Sequence, residues 1–239
     1  MTADGVRTFL RGLGQTLITL GVVVLLFCAY EVYFTNVYTN NQQHQARDEI
    51  QSQWAQPAPT PSGRPGTKPS ATTPASAPPA MGKGFALIWM PRIGMVNGKA
   101  KVVFEGVDHE DLKRGPGHYP GTALPGEVGN MVISGHRTTY GAPFNRIDEL
   151  RDGDAIVLET RDTWFTYRMV RQQIVKPTTV EVTYPVPGNR DATPTKKLLT
   201  LTTCNPKYSA KQRLVVTAEL QSALPKSAGN PPALSGQGA

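Results

Sequence analysis

A cysteine at the end of an apolar strand, an arginine nine residues further on and a histidine closing an earlier strand are the side chains best suited to covalent chemistry. Cys204 ends the run Leu198-Leu199-Thr200-Leu201-Thr202-Thr203 and precedes Asn205-Pro206. A strand that stops on Cys before a Pro-containing turn puts the sulfur at a rim rather than in a core. The bland alternative is a small buried hydrophobe, the usual fate of a free Cys. Sulfur attacks as the thiolate, which nearby positive charge favours. Arg213 opens the next strand-like run, and pairing of the two runs in either direction brings it near Cys204. An always-charged guanidinium there stabilises a thiolate, an oxyanion or a bound peptide.

His136 follows the apolar run 130–134 in Ser134-Gly135-His136-Arg137. An imidazole at a strand end, beside Gly, suits acid and base work near neutral pH. Three other histidines compete. His44 lies in a polar stretch after an apolar run, and His109 in a polar turn. His118, in Gly117-His118-Tyr119-Pro120, is the stronger rival, because rigid loops often line active sites. Other chemistries lack their signatures. The chain has no H-E-x-x-H, no paired CxxC, no Asp-rich calcium loop, no phosphate-cradling Gly loop and no G-x-S-x-G elbow. No metal or cofactor is expected. The net charge of +7 is scattered, without a compact basic run interleaved with aromatics, so nucleic acid is not an expected partner.

The elements that must position these residues follow from composition. Residues 12–30 carry no charge, and nineteen helical residues approach the ~30 Å thickness of a bilayer core. Arg7 and Arg11 precede the run and Glu31 follows it, which predicts residues 1–11 inside the cell and the rest outside. Tyr30, Tyr33 and Phe34 would form an aromatic belt at the outer face. No small-x-small cleavage site follows, so the reading is an uncleaved single-pass anchor. Phe27 stands where a lipoprotein needs a small residue, so Cys28 reads as membrane filler. With one Cys there and the other in the exported part, a disulfide framework is excluded.

Residues 31–83 read as a polar juxtamembrane segment, either a short helix or nothing regular, and a spacer. The spacer, 56–80, is Pro, Ala, Ser and Thr with Pro every few residues. It predicts an extended, semi-rigid arm that gives reach. Residues 84–220 hold short strands near 85–90, 101–107, 130–134, 155–159, 163–170, 198–203 and 213–219. A single helical turn is expected at 108–113 and a short helix within 143–150, while 115–129 reads as a long ordered loop. Seven or eight strands with almost no helical periodicity predict an all-β barrel or sandwich. Residues 221–239, rich in Gly, Pro, Ser and Ala, read as a disordered tail.

Taken together, Ile133-Ser134-Gly135-His136-Arg137, Leu199-Thr200-Leu201-Thr202-Thr203-Cys204 and Gln212-Arg213-Leu214-Val215-Val216 resemble the three active-site motifs of the sortase family, in the same order. Gly115-Pro116-Gly117-His118-Tyr119, Pro125-Gly126-Glu127-Val128-Gly129-Asn130 and Trp89-Met90-Pro91-Arg92-Ile93-Gly94 are similar to supporting stretches. The resemblance covers about residues 84–220. Within the family, His136-Arg137-Thr138-Thr139-Tyr140-Gly141-Ala142-Pro143-Phe144 looks like class E, the housekeeping type of high-GC Gram-positive bacteria.

The resemblance implies a closed eight-stranded β-barrel behind one transmembrane helix. It also implies a cysteine transpeptidase that cuts the Thr–Gly bond of a Leu-Ala-x-Thr-Gly or Leu-Pro-x-Thr-Gly sorting signal and joins the protein to a cell-wall precursor amine. Cys204, His136 and Arg213 take the catalytic positions, no cofactor is needed, and Thr203, Tyr140 and His118 are expected along the substrate groove. Implied partners are signal-bearing surface proteins and a lipid-linked peptidoglycan precursor at the outer membrane face. Two other readings stand beside it. One is an exported cysteine peptidase or L,D-transpeptidase, although the latter's Ser-His-Gly-x-Cys run is missing before Cys204. The other is a non-catalytic wall-binding β-domain on a stalk.

Overall fold

A computed structural model describes residues 3–56, 78–96 and 98–235, with the side chains of 3, 4, 6 and 31–36 excepted. Most of the Pro-rich stretch therefore lies outside the described residues, as do residues 236–239 and the side chains of Tyr33 and Phe34. Eight strands close into a barrel: β1 Gly84–Trp89, β2 Lys101–Glu105, β3 Gly117–His118, β4 Gly129–Ser134, β5 Ala155–Glu159, β6 Thr163–Val175, β7 Lys197–Asn205 and β8 Gln212–Pro225. Their order around the barrel is β1-β2-β3-β4-β7-β8-β6-β5. Helix α1 covers Ala3–Ala55 and α2 His109–Arg114, the latter where one helical turn was expected. The short helix sought within 143–150 is a single 3-10 turn, Ile147–Glu149.

Period-two alternation explains the interior. Met131 and Ile133 of β4, Leu199 and Leu201 of β7, and Leu214, Val216 and Ala218 of β8 point inward and share one apolar cluster with Ile156, Leu158, Tyr167 and Met169. The neighbours of these residues along each strand face outward. β3 lies inside the stretch read as a loop. It is only two residues long, pairing in parallel with β2 and antiparallel with β4, and it completes the closure between them. Two residues in a Gly/Pro-rich context carry no alternation to detect.

Because β3 reaches only Phe104 and Glu105, the first half of β2 has a free edge. An unpaired edge exposes backbone donors and acceptors and needs a cover. The polar segment after the apolar run supplies it by continuing α1 as one helix. The Gln43 amide accepts from Val102 N–H at 2.8 Å and donates to Val102 C=O at 3.3 Å, acting as a one-residue strand. Arg47 donates to the carbonyls of Gly98 and Ala100, and Thr39 Oγ1 donates to Lys113 C=O at 2.8 Å. Beneath them Ala46 and Ile50 join Leu87, Val102 and Phe104 in a second apolar cluster. The N-terminal part of the same helix, Arg7–Tyr30, has a mean hydropathy of 2.1 and is long and apolar enough to cross a membrane.

The expectation of a disordered tail from residue 221 is corrected. β8 continues to Pro225, pairing Leu224 with Trp164 and Pro225 with Thr163. Two 3-10 turns follow, Lys226–Ala228 and Pro232–Leu234, and Ala233 is buried in a cluster with Ala155, Val157 and Trp164. The tail is short of large apolar residues, so its composition resembled disorder. Order comes instead from the unusual length of β6, which offers a ladder, and from the two tryptophans Trp89 and Trp164 on which the last turn rests.

Candidate active site

The antiparallel ladder of β7 and β8 sets Cys204 directly opposite Arg213. Leu199, Leu201 and Leu214 point into the barrel, so by alternation Cys204 and Arg213 share its outer face, at the end of both strands. Cys204 is half-buried and free. Arg213 is steadied by its own turn, since Nη1 donates to the carbonyls of Ala210 and Gln212, each at 3.0 Å.

β4 runs parallel to β7 on the other side, with Ser134 level with Thr202. The threonines of β7 stitch this seam. Thr200 Oγ1 donates to Asn130 Oδ1 at 2.7 Å, and the hydroxyls of Thr202 and Ser134 are 3.0 Å apart. The seam continues past the end of β4, where Gly135 N–H donates to Thr202 C=O at 3.1 Å. Gly135 is required there, because a Cβ would stand 2.7 Å from the Phe144 ring. His136 comes next, and its carbonyl accepts from Phe144 N–H at 3.1 Å, closing the loop 136–144 over that buried ring. Arg137 then donates from Nη1 to the carbonyl of Cys204 at 3.2 Å. His136 is thus bracketed by residues bonded to Thr202 and to Cys204. The structure brings all three expected catalytic residues to one end of three adjacent strands.

The imidazole lies against Tyr140, with ring centroids 4.9 Å apart. Tyr140 holds a left-handed φ of 50°, which turns the loop so that its ring flanks the histidine. Nδ1 of His136 is within reach of Thr139 Oγ1 at 3.3 Å, while Nε2 is buried without a partner among the described residues. Burial lowers the His136 pKa below its ordinary value near 6.5, and the charge of His109 lowers it further. The imidazole is therefore neutral at pH 7. A base with a lowered folded-state pKa favours folding above that range and opposes it on acidification, when the unfolded chain takes up the proton first. We expect the His136 ring, followed by NMR, to titrate below 6.5, and to titrate higher in His109→Gln. A midpoint at or above 6.5 in the parent chain would contradict the burial argument.

Two of the residues expected along the groove are buried. Thr203 is buried and donates to Gly135 C=O at 2.7 Å, so it fixes the seam beneath the site. Its alternation puts it inward, a consequence of Cys204 facing out. His118 is 1% exposed. Its Nδ1 meets Glu105 Oε2 at 2.6 Å and its Nε2 meets Thr122 Oγ1 at 2.8 Å, with Phe85 edge-on to the ring. The short β3 carries it into the wall of the barrel, where it is buried from solvent. The sequence reading missed Arg137, Asn145 and Asp148. Asn145 Nδ2 donates to the Arg137 carbonyl at 2.8 Å, and Asp148 pairs with the Arg137 guanidinium at 2.9 Å. A charged loop residue reads as solvated, and only its adjacency to His136 marks Arg137 out.

The sequence matches a family model described as the sortase domain over residues 88–221. It is 36% identical over 232 residues to sortase SrtE1 of Streptomyces coelicolor, an alignment covering 94% of this chain and 60% of the relative, so the chain spans well under two thirds of that protein. Among solved structures, sortase E of Streptomyces avermitilis superposes with a TM-score of 0.58 at 44% identity, covering 64% of this chain and 98% of that one. The solved S. coelicolor sortase E1, with a tripeptide in its active site, gives a TM-score of 0.59 at 37% identity, covering 64% and 97% respectively. A closed barrel of this strand order, its three ordered motifs and these likenesses together make the chain a member of the sortase family, in class E.

Proposed function

We propose that the chain is a membrane-anchored transpeptidase acting outside the cytoplasm, with Cys204 as nucleophile, His136 as acid and base, and Arg213 as the group that meets the developing oxyanion. The observation that carries this reading is the register. Cys204 faces Arg213 across one ladder, and the loop bearing His136 is bonded to Cys204 across the neighbouring seam. A neutral imidazole with an unpartnered buried nitrogen suits the first step.

His136 takes the thiol proton as sulfur attacks the Thr–Gly carbonyl of a sorting signal. Charge builds on the carbonyl oxygen, where a guanidinium stabilises it most. The tetrahedral species collapses, the C–N bond breaks, and the imidazolium hands its proton to the leaving Gly amine. An acceptor amine then attacks the thioester. His136 receives its proton and returns one to the departing sulfur, which restores the starting state. Tyr140, beside the imidazole, lines the groove. The related S. coelicolor enzyme, with its tripeptide, supports a short peptide as the ligand. The class E likeness favours Leu-Ala-x-Thr-Gly over Leu-Pro-x-Thr-Gly, with a lipid-linked peptidoglycan precursor as acceptor. Arg7–Tyr30 crosses the bilayer with its N-terminus inside, since Arg7 and Arg11 precede the apolar run.

Incubating the full chain in detergent with each peptide type tests the proposal by mass spectrometry. We expect an acyl adduct on Cys204, more of it with the Leu-Ala peptide, and its conversion to an amide product when an amine is added. Cleavage without adduct, or release to water that an amine does not divert, would favour a peptidase. A thiol inert to both peptide and iodoacetamide would leave only a binding module.

A further inference from the structure

Arg137 is 4% exposed, yet its guanidinium lies among oxygens of β7 and of the 3-10 turn Ile147–Glu149. Nη1 donates to the Cys204 carbonyl at 3.2 Å and to Asn205 Oδ1 at 2.7 Å, and Nη2 pairs with Asp148 Oδ2 at 2.9 Å. Nε is buried without a partner among the described residues. Its one acidic partner among the described residues, Asp148, is 38% exposed, so solvent weakens that pairing. A buried charge held this way is costly, and a well-packed apolar side chain of similar volume often serves stability as well or better. Stability alone is thus a poor account of an arginine at this position.

What the arginine does provide is a fixed link between two places. It directly follows His136, and it binds the backbone carbonyl of Cys204 and the side chain of the next residue, Asn205. Gly135, on the other side of His136, is held by Thr202 C=O and Thr203 Oγ1. The His136 backbone therefore cannot slide along β7 or lift from it without breaking one of these clamps. Asn145, donating to the Arg137 carbonyl, holds the same peptide from within the loop. We propose that Arg137 is a positioning residue of the transpeptidase, setting the separation of His136 from Cys204 by tying the chain beyond the imidazole to the nucleophile's own backbone. Proton transfer to and from sulfur is sensitive to such placement, because shifts near 1 Å cost about a hundredfold in rate.

This inference rests on the transpeptidase reading, and its test separates the two. Arg137→Gln, Arg137→Lys and Asp148→Asn are compared with the parent in the full chain, using the amine-transfer assay, circular dichroism and NMR of His136. In Arg137→Gln we expect kcat to fall about thirtyfold with KM changed by less than about threefold, since the residue misplaces the base without touching the peptide. The His136 midpoint should rise toward its ordinary value as the freed loop admits water. Arg137→Lys, which keeps one donor toward the carbonyl, should recover part of kcat. Asp148→Asn should cost less than Arg137→Gln, because the link to Cys204 remains. An unchanged kcat in Arg137→Gln, a loss confined to KM, or a loss accounted for by the unfolded fraction would overturn the proposal. If Arg137→Gln does not fold, Arg137→Lys carries the kcat comparison, and normal turnover there overturns it. If the parent forms no acyl adduct, the transpeptidase reading has failed, and an unmoved His136 midpoint in the folded variant then rejects the positioning role by itself.

Discussion

Cys204→Ala yields a folded barrel that neither forms the acyl adduct nor transfers it. The sulfur is half-buried at a strand end, and its strand is held by backbone pairing and by the hydroxyls of Thr200, Thr202 and Thr203. Removing one partly exposed sulfur leaves no enclosed cavity, so the thermal transition should shift little, by less than about 1 kcal/mol in stability. Activity has no such reserve. No other thiol is available, since Cys28 lies in the apolar helix. Losing the nucleophile of a comparable acyl-transfer site costs on the order of a millionfold. Mass spectrometry and circular dichroism on the same sample decide the matter. An adduct that persists on another residue, or turnover within about a hundredfold of the parent, would move the nucleophile away from Cys204.

Arg213→Lys is expected to lower kcat/KM by about a hundredfold, although the charge is kept. The guanidinium is oriented by its turn, with Nη1 fixed on the Ala210 and Gln212 carbonyls. A planar group anchored at one nitrogen presents the others in a set direction toward the face it shares with Cys204. An ammonium at that position can satisfy the turn carbonyls or the substrate, but it has no fork with which to do both. Most of the loss should fall on kcat, because the oxyanion exists only along the reaction path. Near-normal turnover in this variant would take Arg213 off the catalytic list and leave it a turn residue.

The candidate catalytic residues were legible in the sequence because each stands at one end of a hydrophobic run. Strand ends are visible in an alternating pattern, and Cys204, Arg213 and His136 mark three of them. The number and length of those runs pointed to an all-β barrel or sandwich, and the family resemblance chose the closed barrel. What stayed hidden was carried by polar residues in unexpected surroundings. Gln43 covers a strand edge, Arg137 joins two segments from inside the protein, and His118 sits in a wall with Glu105. Composition assigns such residues to solvent, and only the pairing partner, distant in the chain, reveals the burial. Thr203 shows the opposite error: the family resemblance put it along the groove, whereas a one-residue step along a strand reverses the face.

The seat that α1 takes on the barrel alters what the Pro-rich stretch can do. Ile50 packs on Leu87 and Val102, and β1 begins at Gly84, so residues 56–83 join two points of one body, whatever path they take. On the proposed topology, lengthening that segment would leave the barrel where α1 holds it. The stand-off is instead counted in helix turns. Nine residues separate Tyr30 from Thr39, about 13 Å of rise, and Thr39 packs beside Gly141 in the very loop that carries His136. On the proposed topology, with Tyr30 at the outer leaflet, Cys204 and His136 would work at the height of lipid headgroups.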